Sequence, residues 1–118
     1  MKEIKWLDQP EEHDYPAAVS YLSLIMTVQL AKANVETLKL EKVSLFKAKD
    51  ILRASELPIL GRDNYHVKKD IKKIEEGKEL SPILLVRYNN KVIIADGYHR
   101  TCAIYNCDED SDVHVKII

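Results

Sequence analysis

The chain has 118 residues, 46% of them hydrophobic and 31% charged, and a net charge of −1. This is the balance of one soluble globular domain long enough to bury a core. The near-neutral charge argues against a dedicated duplex-DNA binder, which carries a basic face. No apolar stretch is long and clean enough to span a bilayer, because Ser20, Ser23, Thr27 and Gln29 interrupt the best one. Cys102 and Cys107 lie on one predicted helix at a spacing that disfavours a disulfide. The start Met1-Lys2-Glu3-Ile4-Lys5 has no signal-type apolar region, so the expectation is a reduced, cytoplasmic protein.

Residues 1–42 read as a helical extension of a core over 43–118, within a single domain 1–118. Trp6 and Leu7 precede an acidic stretch, Gln9 to Pro16, and Pro16 suits a helix start. Val19, Leu22, Ile25 or Met26, and Gln29 or Leu30 then follow helical spacing. Asn34 is expected to mark a turn before a short helix over 35–40. A short strand is expected over 43–46 and a short helix over 49–54. Asp63 is placed to cap a helix that Gly77 ends, with Val67, Ile71 and Ile74 as its buried stripe. Ser81 to Val86 and Lys91 to Ala95 read as strands joined by a tight Asn89-Asn90 turn. Tyr98 to Asn106 follows as a helix and Val113 to Ile118 as the last strand. This mixture of strands and helices predicts an α+β domain.

The most informative segment is Asp96-Gly97-Tyr98-His99-Arg100, where an apolar strand hands over to a helix. Gly97 lets bare backbone approach a ligand closely. The helix N-terminus offers unpaired N–H groups and the positive end of a dipole, which suits an anion. His99 and Arg100 add donors in the first turn, and the planar fork of Arg matches phosphate. Upstream, His66, Lys69 and Lys73 share one helical stripe. The same stripe also reads as a solvated face, since Asp70, Glu75, Glu76 and Glu79 dilute its charge.

These residues, in this order, resemble the ParB/sulfiredoxin superfamily over residues 43–118. Sulfiredoxins carry Gly-Cys-His-Arg at the turn, ParB domains Gly-Glu-Arg-Arg, and archaeal free-serine kinases Asp-Gly-His-His-Arg, which is nearest to this chain. The resemblance implies a small mixed sheet with flanking helices and a turn that binds nucleotide phosphates. Laid on this sequence, it assigns phosphate or nucleotide binding to Gly97, Tyr98, His99, Arg100 and Thr101, and to His66, Lys69 and Lys73 on the preceding helix. It also implies that Asp96 either holds Mg²⁺ or acts catalytically by taking a proton from an attacking hydroxyl, with ATP or ADP favoured over CTP. Tyr98 stands where a sulfiredoxin needs its nucleophilic cysteine, so sulfinic-acid reduction is disfavoured. The helix-turn-helix domain that follows a ParB clamp is absent from the sequence.

A second carboxylate is expected from the N-terminal part. The resemblance to free-serine kinases implies a glutamate outside the turn, a role that Glu12, Glu11 and Glu56 each fit and that is assigned to Glu12, while Glu11-Glu12-His13-Asp14 reads either as a metal or acid–base cluster or as a solvated acidic lead-in. The functions consistent with these residues are a small phosphotransferase or nucleotide hydrolase acting on an unknown small acceptor, a nucleotide-sensing module without turnover, and a ParB-like DNA-binding or nuclease protein. The extension is expected to wall the pocket or to form a homodimer interface through its helices. Asp108 to Asp112 reads as a solvated loop and His114 as structural.

Overall fold

Ile83-Leu84-Leu85-Val86 and Val92-Ile93-Ile94-Ala95 are apolar at successive positions, so both faces of the sheet need cover there. The computed structural model describes residues 3–118; Met1 and Lys2, part of the stretch read for a signal sequence, lie outside them. The central hairpin consists of β4 (Ile83–Tyr88) and β5 (Lys91–Asp96), paired antiparallel. Its turn places Asn89 and Asn90 at φ 52° and 65°, the left-handed pair that a two-residue hairpin of this hand requires. β6 (Asp112–Ile117) runs parallel to β4, and β2 (Ser44–Lys47) antiparallel to β6, in the order β2-β6-β4-β5.

Period-two alternation divides the strands between two helical layers. Ile83, Leu85 and Ile94 pack with α3 (Ala48–Ser55), α4 (Tyr65–Glu75) and α5 (Tyr98–Cys107). Leu84, Val86, Ile93 and Ala95 pack with α1 (Asp14–Leu22) and α2 (Val28–Leu40). The result is an α+β domain with its sheet between two helical layers. Residues 14–40 therefore form one of those layers, and the apolar face expected of the extension covers the sheet. Among the described residues, no helix is long and apolar enough to cross a membrane.

Two local expectations are corrected. The helical break falls at 23–26, not at Asn34, which lies inside α2. Ser23 closes α1 by donating its hydroxyl to the Val19 carbonyl at 2.7 Å, and the Thr27 hydroxyl caps α2 by accepting from the Leu30 N–H at 3.2 Å. Asn64, not Asp63, caps α4, its side-chain oxygen accepting from the N–H groups of His66 and Val67. The ending at Gly77 agrees with expectation: φ is 72°, and the Lys78 N–H returns to the Lys73 carbonyl at 3.0 Å.

Two further contacts tie the layers together. β1 (Lys5–Trp6) pairs parallel with β3 (Glu79–Leu80), which brings the N-terminal segment alongside Ser81. Lys116 is buried and donates from Nζ to the Lys39 carbonyl at 3.0 Å, in the last turn of α2, where a cation is favoured. Burial pushes its pKa down. His114 is structural in the sense expected, stacked on Trp6 with ring centroids 4.8 Å apart. Cys102 is buried and both cysteines are free. The Asp108–Asp112 loop holds an ion pair, Asp110 to Lys49 at 2.6 Å.

Leu22 is fully buried against the sheet. Leu22→Ala is expected to lower the unfolding free energy by about 2–5 kcal/mol in urea titration, the cost of a large-to-small core change. A change below about 0.5 kcal/mol, the level of a surface substitution, would mean that the α1–α2 layer is an appendage.

Candidate functional site

The site forms where β5 ends and α5 begins. Gly97 sits at φ 108°, outside the range comfortable for other residues. A Cβ there would overlap Ile83 and lie 3.0 Å from Arg100 Nη2, so packing as well as conformation demands glycine. No side chain caps α5, and its first backbone bond runs from the Thr101 N–H to the Gly97 carbonyl at 2.9 Å. The N–H groups of Tyr98, His99 and Arg100 take no partner among the described residues. They lead the helix at its positive end.

Helix α4 supplies the facing wall. The His66 and His99 rings approach to 4.7 Å between centroids, and Lys69 and Lys73 follow on the same stripe. With Asp70, Asp96 and the turn, they line a cleft of about 210 Å³. Burial, and then the neighbouring His66, lower the His99 pKa against the pull of Asp70. Asp70 is the residue that sequence reasoning missed. It is half-buried between Lys69 and Lys73, 3.9 Å from the latter, and its pKa is raised by burial despite Lys73, Arg100, His99 and Lys69. Its position one helical turn after His66 was the available signal.

Arg100 is held by three groups. Its Nη2 donates to Asp96 Oδ2 at 3.0 Å and lies 3.7 Å from Asp14 Oδ2, while Nε donates to the Ser81 carbonyl at 3.1 Å. The Ser81 hydroxyl donates to Asp14 Oδ2 in a short hydrogen bond and accepts from the Glu11 N–H at 3.1 Å. Asp14 is buried, which is tolerable because its oxygens are partnered. Asp96 has its pKa raised, first by burial and then by Asp14, with Arg100 opposing. The guanidinium that sequence analysis assigned to phosphate is therefore largely committed within the protein, although Arg100 still lines the cleft.

Several expected site residues are placed differently. Glu12 is exposed and bonds neither Arg100 nor Ser81; Asp14, two residues on, is the N-terminal carboxylate at the turn. Glu56 is exposed at the left-handed end of α3. Thr101 is fully buried, with its hydroxyl and its N–H both donated to the Gly97 carbonyl, so it offers nothing to a ligand. Tyr98 lines the cleft and its ring lies 5.4 Å from that of His99, but its hydroxyl donates to the Pro58 carbonyl at 2.6 Å. Asp96 is not part of the one cluster of three metal-type ligands among the described residues, which is Glu11, His13 and Asp14. In that cluster His13 Nε2 already lies 3.1 Å from Glu11 and 3.3 Å from Asp14.

No protein-family model, no curated protein and no solved structure matches this chain.

Asp14→Ala removes the acceptor of a buried hydroxyl and one partner of Arg100. The expected cost is about 1–3 kcal/mol of stability in urea titration, the penalty for leaving such donors unpaired. An effect below about 0.5 kcal/mol would show that the cluster is dispensable.

Proposed function

We propose that this chain binds the phosphate groups of a nucleotide or similar small molecule in the α4–α5 cleft. One observation carries the reading. An uncapped helix N-terminus with three free N–H groups faces two imidazoles and two lysines from a second helix across a cleft of about 210 Å³. Dipole, free donors and mobile positive charge converge there, which is what an anion requires. The resemblance to the ParB/sulfiredoxin superfamily, read from the same order of helix, strand, hairpin, strand and turn, favours the same ligand class.

The ligand's charge falls to Lys69, Lys73, His66, His99 and the free amides. Arg100 acts chiefly to fix the turn, because two carboxylates already balance it. Mg²⁺ fits the donor set, since it takes one or two carboxylates together with phosphate oxygens and water. Asp96 and Asp70 both line the cleft and would hold it. The ion would supply charge neutralisation at the phosphates. Turnover, as a phosphotransferase or nucleotide hydrolase, would instead leave such an ion to Asp70 and the phosphates, with Asp96 free to take a proton from an acceptor hydroxyl or water. A sensing module without turnover would use the same cradle. Asp96→Asn separates the two, since lost turnover with retained binding marks the enzyme. DNA is a poorer fit, because the positive groups converge on a small cleft in a chain of net charge −1.

Calorimetric titration with pyrophosphate at pH 6 and pH 8 tests the reading. His99 has a lowered pKa in the free protein, so it is neutral at pH 8 and an entering anion favours its protonated form. Binding is therefore expected to take up a proton and to tighten as the pH falls. In the free protein the sign is opposite. Stability from the depressed His99 is present above the ordinary histidine pKa and is lost as pH falls towards the folded value. His99→Ala and Lys73→Ala are each expected to weaken binding about tenfold, the worth of one charge-assisted hydrogen bond. No binding at either pH, or binding indifferent to both substitutions, would contradict the assignment.

A further inference from the structure

The cleft is large enough for phosphates but offers little apolar surface on which a base could rest. Apart from the Tyr98 ring and Gly97, its lining is charged or imidazole. A suitable surface lies beside two of the lining residues, His66 and Lys69. Tyr65, the first residue of α4, is 67% exposed, and its hydroxyl forms no hydrogen bond among the described residues. Its ring meets His66 edge-on at 5.3 Å between centroids, His66 meets His99 at 4.7 Å, and His99 meets Tyr98 at 5.4 Å. Four rings thus run without a gap from the phosphate turn to the solvent edge of α4. Lys69 Nζ lies 5.4 Å from the Tyr65 ring centroid, so one cation faces both the cleft and the ring.

From this juxtaposition, and resting on the phosphate-binding reading above, we propose that Tyr65 is the platform for a nucleotide base and makes the site selective for nucleotides over base-free phosphates. The phosphates sit on the α5 amides and the lysines, the sugar spans the histidine pair, and the base stacks on Tyr65. Base–aromatic stacking is tolerant of base identity, since every base has a π-face. Selectivity between bases is therefore weak, while selectivity for a base over none is strong.

The test is calorimetric titration of the wild type, Tyr65→Ala and Tyr65→Phe with ADP and with pyrophosphate, each with Mg²⁺. Tyr65→Ala is expected to weaken ADP binding by at least about fivefold, within the range for loss of one stacked base. Pyrophosphate binding is expected to change less than about twofold, and Tyr65→Phe to restore ADP binding, because the ring and not the hydroxyl matters. Equal losses for both ligands, unaffected ADP binding, or wild-type binding of pyrophosphate without ADP would overturn the role of Tyr65 and leave the phosphate site standing. Binding of neither ligand by the wild type would instead remove the phosphate site and the platform with it.

Discussion

The position of Arg100 is the constraint on which the rest of this structure depends. Its guanidinium is held by Asp96 from the end of β5, by Asp14 from the start of α1, and by the Ser81 carbonyl before β4. A largely buried cation requires such company, because an unpaired charge away from water is costly. Satisfying it pins three segments distant in sequence to one point. The N-terminal layer is anchored through Asp14, the start of the central strand through Ser81, and the first turn of α5 through Arg100 itself. With the helix start fixed, Gly97 fits against Ile83 and the first turn of α5 lines the cleft with α4.

The same arrangement divides positive charge into two kinds. Arg100 is balanced within the protein, whereas the exposed Lys69 and Lys73 stand at the cleft as solvated charge available to a ligand. Asp70 sits among these cations and limits their field in the empty cleft, and burial makes its own charge less comfortable. On the proposed reading an incoming anion favours the protonated form of His99, whose pKa burial lowers in the free protein. On the same reading this couples ligand charge to proton uptake, and the modest net field explains how a chain of net charge −1 presents an anion cleft.

Much of this was legible in the sequence wherever the determinants are local. The Asn89-Asn90 turn, the stripe Val67, Ile71 and Ile74, the Gly77 ending and the strand-Gly97-helix junction each follow from a few neighbouring residues, and the structure places them as expected. What was not legible depends on contacts between distant parts. Ser81 and Asp14 are 67 positions apart, and nothing near Asp14 distinguishes it from Glu11 or Glu12 as the carboxylate that turns inward. The short pairing of β1 with β3 selects it by drawing the N-terminal segment alongside Ser81. Thr101 appeared available from its place in the turn, but the helical register rotates it into the core. Asn34 failed as a break because Thr27 caps a helix that simply continues through it.

A two-dimensional amide NMR titration of the full chain with pyrophosphate tests the anion site most directly. An anion held in the α4–α5 cleft shifts chiefly the N–H groups of Tyr98, His99 and Arg100, with smaller changes along α4 at His66, Lys69 and Lys73. Saturable shifts confined to another surface, or no shifts at millimolar pyrophosphate, would contradict the claim that the α4–α5 cleft is an anion site.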